Sequence, residues 1–565
     1  MRRNVEAKTN EFQLSFKDLE RRFNGELIRK VAAVSIGIYE AVDFISTQII
    51  LHMYDNHPHF LLEIQTTLEK LGPTFHLPPR SSCVVGTRLE TIRSITTWIV
   101  AGNEEVLWLK GLAGVGKSSL MGSIKDLTLA MGDHGRLGAF LRFDRIQMSD
   151  PSRAILSLAY KLAEFDDRIG RAIAQAVVNK PNVNDRTLSA QFQDYVVDPL
   201  TSVATLKDNG PIVVIVDGLD ECEVGAQRAE LLKILSRGFG SQLAFIRLII
   251  ASRPQPDLEH ALCPPGSISS HVRPYPLDIN SPSNNQDIRL YFEKRLDETN
   301  DSNLHQLFEE CHAIEELSHR ACGLFIWAST IWSFIMAYPS RRLKAVLNTP
   351  TFPDAETALN SLYKTALQVI TTERGDSNDV KDDIRTVLGS VIVALEPGLT
   401  VRAIDGLMFG LDQSIARDIV GMLASVVSFG DDDPIRLIHK SFDDFLQDQH
   451  RCGDEWYISA KEYRHAITIR CFRHLVEYFR TEISKGRQEL EGGIPSSVSY
   501  AANKCFYHLK SLDKADHHTD ETVRVFLKNY FVQWLKVIPV EIAIDSLRCL
   551  VIWTNVRLSN IWIRA

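Results

Sequence analysis

The sequence has no C-x-x-C pair, no internal repeat of solenoid or propeller type, no excess of positive charge and no apolar run of membrane-spanning length. Each absence removes a class of function. The nine cysteines (Cys83, Cys222, Cys263, Cys311, Cys322, Cys452, Cys471, Cys505 and Cys549) are scattered and odd in number. That pattern argues against a disulfide framework or a zinc site and for reduced thiols in the cytoplasm. With 63 Lys and Arg against 71 Asp and Glu, the formal net charge is −8, so no whole-chain attraction draws the protein to nucleic acid or anionic lipid. A local basic patch stays open. The most apolar stretch, residues 323–338, covers 16 positions and stops at Pro339. A spanning helix needs about 20 residues, so this one is expected to be a buried helix and no membrane span is expected. The polar start, MRRNVEAKTNEFQ, lacks the apolar segment of a signal peptide.

What is present is organised around EVLWLKGLAGVGKSSL, residues 105–120. Gly111, Gly116, Lys117 and Ser118 fill every demanded position of the spacing G-x-x-x-x-G-K-[ST]. An apolar run at 106–109 reads as a buried strand entering the loop, and Leu120, Ile124, Leu127 and Met131 recur at helical spacing after it. Gly111, Gly114 and Gly116 permit positive φ and close backbone approach, so successive N–H groups can ring a β-phosphate at a helix N-terminus. The expected nucleotide contacts are Gly111, Ala113, Gly114, Val115, Gly116, Lys117, Ser118 and Ser119. In this motif the lysine reaches the β- and γ-phosphates and the Ser118 hydroxyl ligates Mg²⁺.

Two further segments complete such a site. PIVVIVD, residues 211–217, is an almost wholly apolar strand ending in Asp217, where a carboxylate can hold Mg²⁺ directly or through water. Asp220 and Glu221 follow on the exit turn, placed to polarise an attacking water. The 100 residues between Lys117 and Asp217 leave room for an extra strand between the two motif strands. LIIASRP puts Arg253 at the end of the next strand, where a planar guanidinium can face a γ-phosphate.

The order of elements predicts helices over 1–80, then a parallel sheet covered on both faces by helices over 81–280. Strands are expected at 137–143, 211–217, 244–251 and 271–277, and helices at 88–100, 188–203 and 226–235. A helical domain follows at 281–375, with helices at 287–296, 304–321, 325–336 and 357–370. Residues 376–450 read helix, helix, helix, strand, turn, strand, the order of a winged helix, and residues 451–565 are again helical. Asp513, Asp516, His517, His518 and Asp520 form a compact group that reads better as an interhelical loop with Asp520 as N-cap than as a metal site.

GLAGVGKSS, VVIVDGLDEC and LIIASRP, with CVVGTRLETIRSITTWI, GLFIWAS and LIHKSFDDFL, resemble the NACHT class of STAND P-loop NTPases. Within that class the likeness is to a large fungal group with a nephrocystin-like P-loop domain. It covers about residues 80–450 and, more weakly, the helical tail. The resemblance implies that Val85, Gly86, Thr87 and Arg88 line the base and ribose side. It implies that His439 reaches the β-phosphate of a bound ADP or GDP and holds the protein closed. Phe325 stands where many relatives carry the proline of Gly-x-Pro, a departure at the adenine side. The implied function is a switch that exchanges diphosphate for ATP or GTP with Mg²⁺, hydrolyses it slowly and self-associates, in non-self recognition or programmed cell death. Relatives carry an effector at one end and a repeat sensor at the other; no residue pattern here marks either.

Other functions fit less well. A phosphoryl-transfer enzyme needs clustered lid arginines, and those here are dispersed. A DNA-binding winged helix wants Lys or Arg in the wing, which instead carries Asp431, Asp432 and Asp433. A scaffold that binds nucleotide without hydrolysis leaves the complete motif residues unused.

Overall fold

The computed structural model describes residues 58–562 apart from 73–80, 132–135, 145–147, 204, 207–209, 240–242, 264–270, 349–351, 353, 375–377, 411–413, 431, 485–493 and 513–516. The helical segments expected within residues 1–57 lie outside the described residues, as do Asp513 and Asp516. The chain divides into two units, one of residues 1–112 and 116–278, the other of residues 113–115 and 279–565.

The first unit is a five-stranded parallel sheet: β1 (Val106–Lys110), β2 (Arg136–Arg142), β3 (Ile212–Asp217), β4 (Ile246–Ser252) and β5 (Val272–Pro276), in the spatial order β2-β3-β4-β1-β5. Parallel strands joined by helical crossovers are covered on both faces, which is why β3 is buried at all six positions and reads as a continuous apolar run. The room foreseen for a strand between the two motif strands is taken up by β4; β2, which lies between them in sequence, sits outside β3. Trp108, Leu248, Ile250, Val214 and Val216 meet in the core with the helix Ala154–Phe165.

Both edge strands carry features that disfavour further pairing. On β5, the His271 carbonyl accepts from Val106 N–H (2.9 Å) and Leu277 N–H donates to the Lys110 carbonyl (2.8 Å). That register turns residues 272, 274 and 276 outward, and two of these are Pro274 and Pro276, which have no N–H to offer. On β2 the register slips between Leu137 and Ala139. Gly138 lies at the slip, where a Cβ would come within 2.4 Å of Ile212 Cγ2.

Two expected single helices are interrupted. The run at 188–203 contains a π-helical turn, Gln193–Val197, immediately before the short helix Asp198–Ser202. Pro199 lies just beyond that turn and lacks the N–H of a regular helix, so the wider turn absorbs the fault. The run at 304–321 is split into Ser302–Glu310 and Ala313–Arg320 by His312, whose φ is 47°. Leu304 and Phe308 bury one helix and Ala313 and Leu317 the other; the five-residue step from 308 to 313 breaks the i, i+4 phase of a single helix.

The second unit is helical. Pro282–Thr299 begins with Ser281 accepting from Asn284 N–H and ends at Asn300 with φ 50°. The apolar stretch becomes the buried helix Phe325–Ala337, followed by Ala355–Arg374. Next come Asn378–Val393, Val401–Ile404 with a π-helical turn Asp405–Phe409, and Ile415–Met422. A two-stranded antiparallel pair, Val427–Ser428 with Arg436–Leu437, closes that segment in the element order read from the sequence. The helices Ala460–Ser484, Ser496–Lys510, His517–Asn529 and Val540–Trp562 complete it. Asp520 is not the N-cap of its helix but lies inside the first turn, because the helix starts at His517; there its charge still faces the positive end of the helix. Among the described residues no helix is long and apolar enough to cross a membrane, and no group of three or more His, Cys, Asp or Glu could hold a metal.

Candidate functional site

Three neighbouring strands of the first unit deliver the charged residues to one end of the sheet. β1 ends at Lys110, in register with Ser252 at the end of β4, and Asp217 at the end of β3 pairs with Ala251. The loop that leaves β1 is tied back at once, since Gly111 N–H donates to the Ser252 carbonyl (3.3 Å). Beneath it the Trp108 indole N–H donates to Ser252 Oγ at 2.8 Å, both groups buried. Gly116, with φ 91°, turns the chain into the helix Lys117–Ala130. A residue other than glycine would be strained at that angle.

Lys117 Nζ donates to the carbonyls of Gly111 (2.8 Å) and Leu112 (2.7 Å), so its ammonium lies over the loop. One residue on, Ser118 Oγ donates to Asp217 Oδ1 at 3.2 Å, joining positions 99 apart in sequence. Asp217 is 1% exposed. Gly218, with φ 74°, lets the chain leave β3 beside the Phe143 carbonyl, where a Cβ would come within 2.9 Å of that oxygen. Its N–H donates to the Ala251 carbonyl (2.9 Å). The 3-10 turn Leu219–Glu221 then sets Asp220 inward and leaves Glu221 half-buried.

Asp220 and Arg253 face each other directly. Asp220 Oδ1 accepts from the Arg253 backbone N–H (3.1 Å), and Oδ2 lies 3.4 Å from Arg253 Nε. Asp220 is buried and its partner guanidinium is partly exposed. Burial pulls the Lys117 ammonium down to about 8; Asp220 opposes that shift, Arg253 adds to it, and Asp217 and Glu221 also oppose it. All five residues therefore share one electrostatic neighbourhood. The structure thus brings together Lys117, Ser118, Asp217, Asp220, Glu221 and Arg253.

Arg88 is buried with φ 59° and caps the helix Leu89–Ala101, Thr87 Oγ1 donates to the Val84 carbonyl (2.7 Å), Gly86 has φ 97°, and Val85 is exposed. His439, in the second unit, is the N-cap of Lys440–Leu446: its Nδ1 accepts from Ser441 N–H (3.0 Å), and Ser441 Oγ contacts Tyr363 Oη at 2.6 Å.

Sequence reasoning missed a buried clamp behind the site. Arg228, 1% exposed on the helix Ala226–Arg237, pairs through Nε with Asp257 (2.9 Å). Its Nη1 donates to the Cys222 carbonyl (2.8 Å) and its Nη2 to Gln255 Oε1 (2.5 Å). It fastens the turn after β3 to the segment after β4, holding Asp220 and Arg253 in place. No local signal distinguishes this arginine from a solvated one on the same helix.

The donor set at Ser118 and Asp217 suits a hard divalent cation. A hydroxyl and a carboxylate oxygen 3.2 Å apart leave most coordination positions to water and phosphate oxygens, as Mg²⁺ prefers.

No curated protein sequence matches this chain. Among solved structures, a STAND protein with a tetratricopeptide repeat sensor from Pyrococcus horikoshii is 12% identical, with a TM-score of 0.41. The match covers 83% of this chain and 53% of that one, so the chain spans about half the length of that protein. A Walker-type ATPase of Pyrococcus abyssi is 14% identical over 65% of this chain and 97% of its own, with a TM-score of 0.31. The Orc1 protein of Aeropyrum pernix, solved in complex with DNA, is 15% identical over 64% and 86%, also with a TM-score of 0.31. Residues 86–253, which run from the turn before the first sheet helix to the arginine after β4, match the family described as nephrocystin 3, N-terminal.

Proposed function

We propose that this protein is a nucleotide-dependent switch of the STAND type, binding ATP or GTP with Mg²⁺ and hydrolysing it slowly. The observation that carries the reading is the convergence of Lys117, Ser118, Asp217, Asp220, Glu221 and Arg253 at one end of three adjacent parallel strands. A polyphosphate is the ligand whose charge, length and cation match that set.

In this reading the loop N–H groups and the start of the helix Lys117–Ala130 hold the β-phosphate. Lys117 moves its donors from two neutral carbonyls to charged phosphate oxygens, which are stronger acceptors. Ser118 and Asp217 would hold Mg²⁺, which supplies charge neutralisation between the β- and γ-phosphates. Glu221 orients and deprotonates the attacking water. Asp220 fixes Arg253, whose guanidinium reports the γ-phosphate. Val85, Gly86 and Arg88 line the base side.

The switch needs two states that bind di- and triphosphate unequally. A near-complete swing requires about 5.5 kcal/mol of differential affinity. Loss or gain of the γ-phosphate contact at Arg253, set against His439 acting on the β-phosphate in the resting state, is the proposed source. Triphosphate favours self-association. The NACHT assignment, a cytoplasmic location and a role in non-self recognition or programmed cell death belong to the same proposal.

The test is to denature the purified protein and identify what it releases. A stoichiometric adenine or guanine diphosphate is expected, and it names the base. Protein that releases no nucleotide, and that binds neither ATP nor GTP with Mg²⁺ in a titration, would overturn the reading.

A further inference from the structure

The helix Ala460–Ser484 of the second unit carries a stripe that the strand-end site does not use. Arg470, Arg473 and Glu477 lie at i, i+3 and i+7 on one face, with His465 and His474 beside them. Opposite that face lie the π-helical turn Asp405–Phe409 and the start of the helix His517–Asn529. Together they line an open cavity of about 580 Å³. That is within the range of small-molecule sites, about 300–1,000 Å³.

Its charge is lopsided. Among the described residues the walls carry two guanidiniums against the one carboxylate of Glu477, with the imidazoles of His465, His474 and His518 beside them; burial pulls the His474 imidazole below its ordinary value. This occurs in a chain whose formal net charge is −8. The polar side chains are also held in position. Arg470 Nη1 donates to the Met408 carbonyl (2.8 Å), which fixes its fork against the π-helical turn. Arg473 Nη2 donates to His518 Nε2, so that imidazole presents its proton on Nδ1. His465 Nε2 meets Thr519 Oγ1 at 3.0 Å, and His474 Nε2 meets the buried Ser497 Oγ at 3.0 Å. A guanidinium has five N–H donors, and the contact at each arginine uses only part of them.

We propose that this cavity is a second ligand site, for a small polyanion bearing at least two phosphoryl groups. Two planar forks three residues apart match tetrahedral oxyanions that accept bidentate hydrogen bonds. Two guanidiniums on neighbouring turns can each take a separate phosphoryl group, and the cavity is larger than inorganic phosphate fills. The site lies within the second unit and does not depend on the strand-end reading.

The test is a calorimetric titration of sodium tripolyphosphate into the full chain carrying Lys117→Ala, which removes the ammonium of the phosphate loop. One saturable site is expected. Adding Arg473→Ala or Arg470→Ala should weaken it about 10- to 100-fold, the worth of charge-assisted hydrogen bonds. Adding Glu477→Gln at this exposed position should instead tighten it by about threefold, a gain that misfolding cannot produce. Citrate should bind more weakly than tripolyphosphate. The proposal is overturned by an absence of saturable binding, by affinity indifferent to both arginines, or by citrate binding at least as tightly. Retention of ATP binding by Lys117→Ala counts against the strand-end site, and the arginine variants still decide the cavity.

Discussion

At the strand ends of the first unit the cations and carboxylates already face one another, whereas the described walls of the cavity in the second unit set two guanidiniums against one carboxylate. Arg253 is paired with Asp220 in two ways, and the Lys117 ammonium rests on the carbonyls of Gly111 and Leu112 among Asp217, Asp220 and Glu221. A polyanion arriving there displaces internal partners, so binding is coupled to rearrangement. In the cavity the positive charge is in excess, and an anion adds to the arrangement without replacing a carboxylate. The first plan suits a switch and the second a resident ligand.

The largest expected effect comes from removing the ammonium. Lys117→Ala should weaken ATP or GTP binding about a thousandfold, because two or more charge-assisted hydrogen bonds are lost together. Unchanged affinity in a calorimetric titration would erase the distinction between the two clusters. Next is the clamp. Arg228→Ala should lower unfolding stability by about 2 kcal/mol, since the Cys222 carbonyl and Gln255 lose a charged donor at a buried position while Asp257, nearly half exposed, is left to water. Chemical denaturation measures this, and a loss below about 1 kcal/mol would mean the strand-end geometry does not depend on it.

Glu221→Gln should slow phosphate release about a hundredfold while triphosphate still binds, as expected for loss of a general base. Undiminished release would take Glu221 out of the chemistry. The smallest effect is on pH. With its pKa pulled down to about 8 by burial, Lys117 is charged below that value in the free protein. A bound polyphosphate raises its pKa, so binding takes up a proton above pH 8. Affinity should be flat below pH 8 and fall by up to about tenfold per unit above it. Titrations between pH 7 and 9.5 check this; a flat profile throughout would separate the ammonium from the phosphates.

The glycine loop after β1, the strand ending in Asp217 and the position of Arg253 were legible in the sequence because each is a local pattern. Glycines mark positive φ, apolar runs mark strands buried on both faces, and a polar residue at a strand end marks the ligand side. The helix boundaries at 193–197 and 311–312 were less legible. There Pro199 and the packing of two separate helix faces override a simple periodic reading. The basic stripe of Ala460–Ser484 is visible as spacing, but the π-helical turn and His518 that face it across the cavity are not.

The amino-acid order alone determined which segments form the glycine loop and the strands that end in Asp217 and Ser252, since backbone freedom and hydropathy act over a few consecutive residues. Folding decided the rest. It inserted β4 between β1 and β3, so that Arg253 meets an aspartate 33 residues away, and it buried Arg228 behind both. Such pairings are set by sheet order and by the need to satisfy buried charges, quantities defined only when distant segments touch.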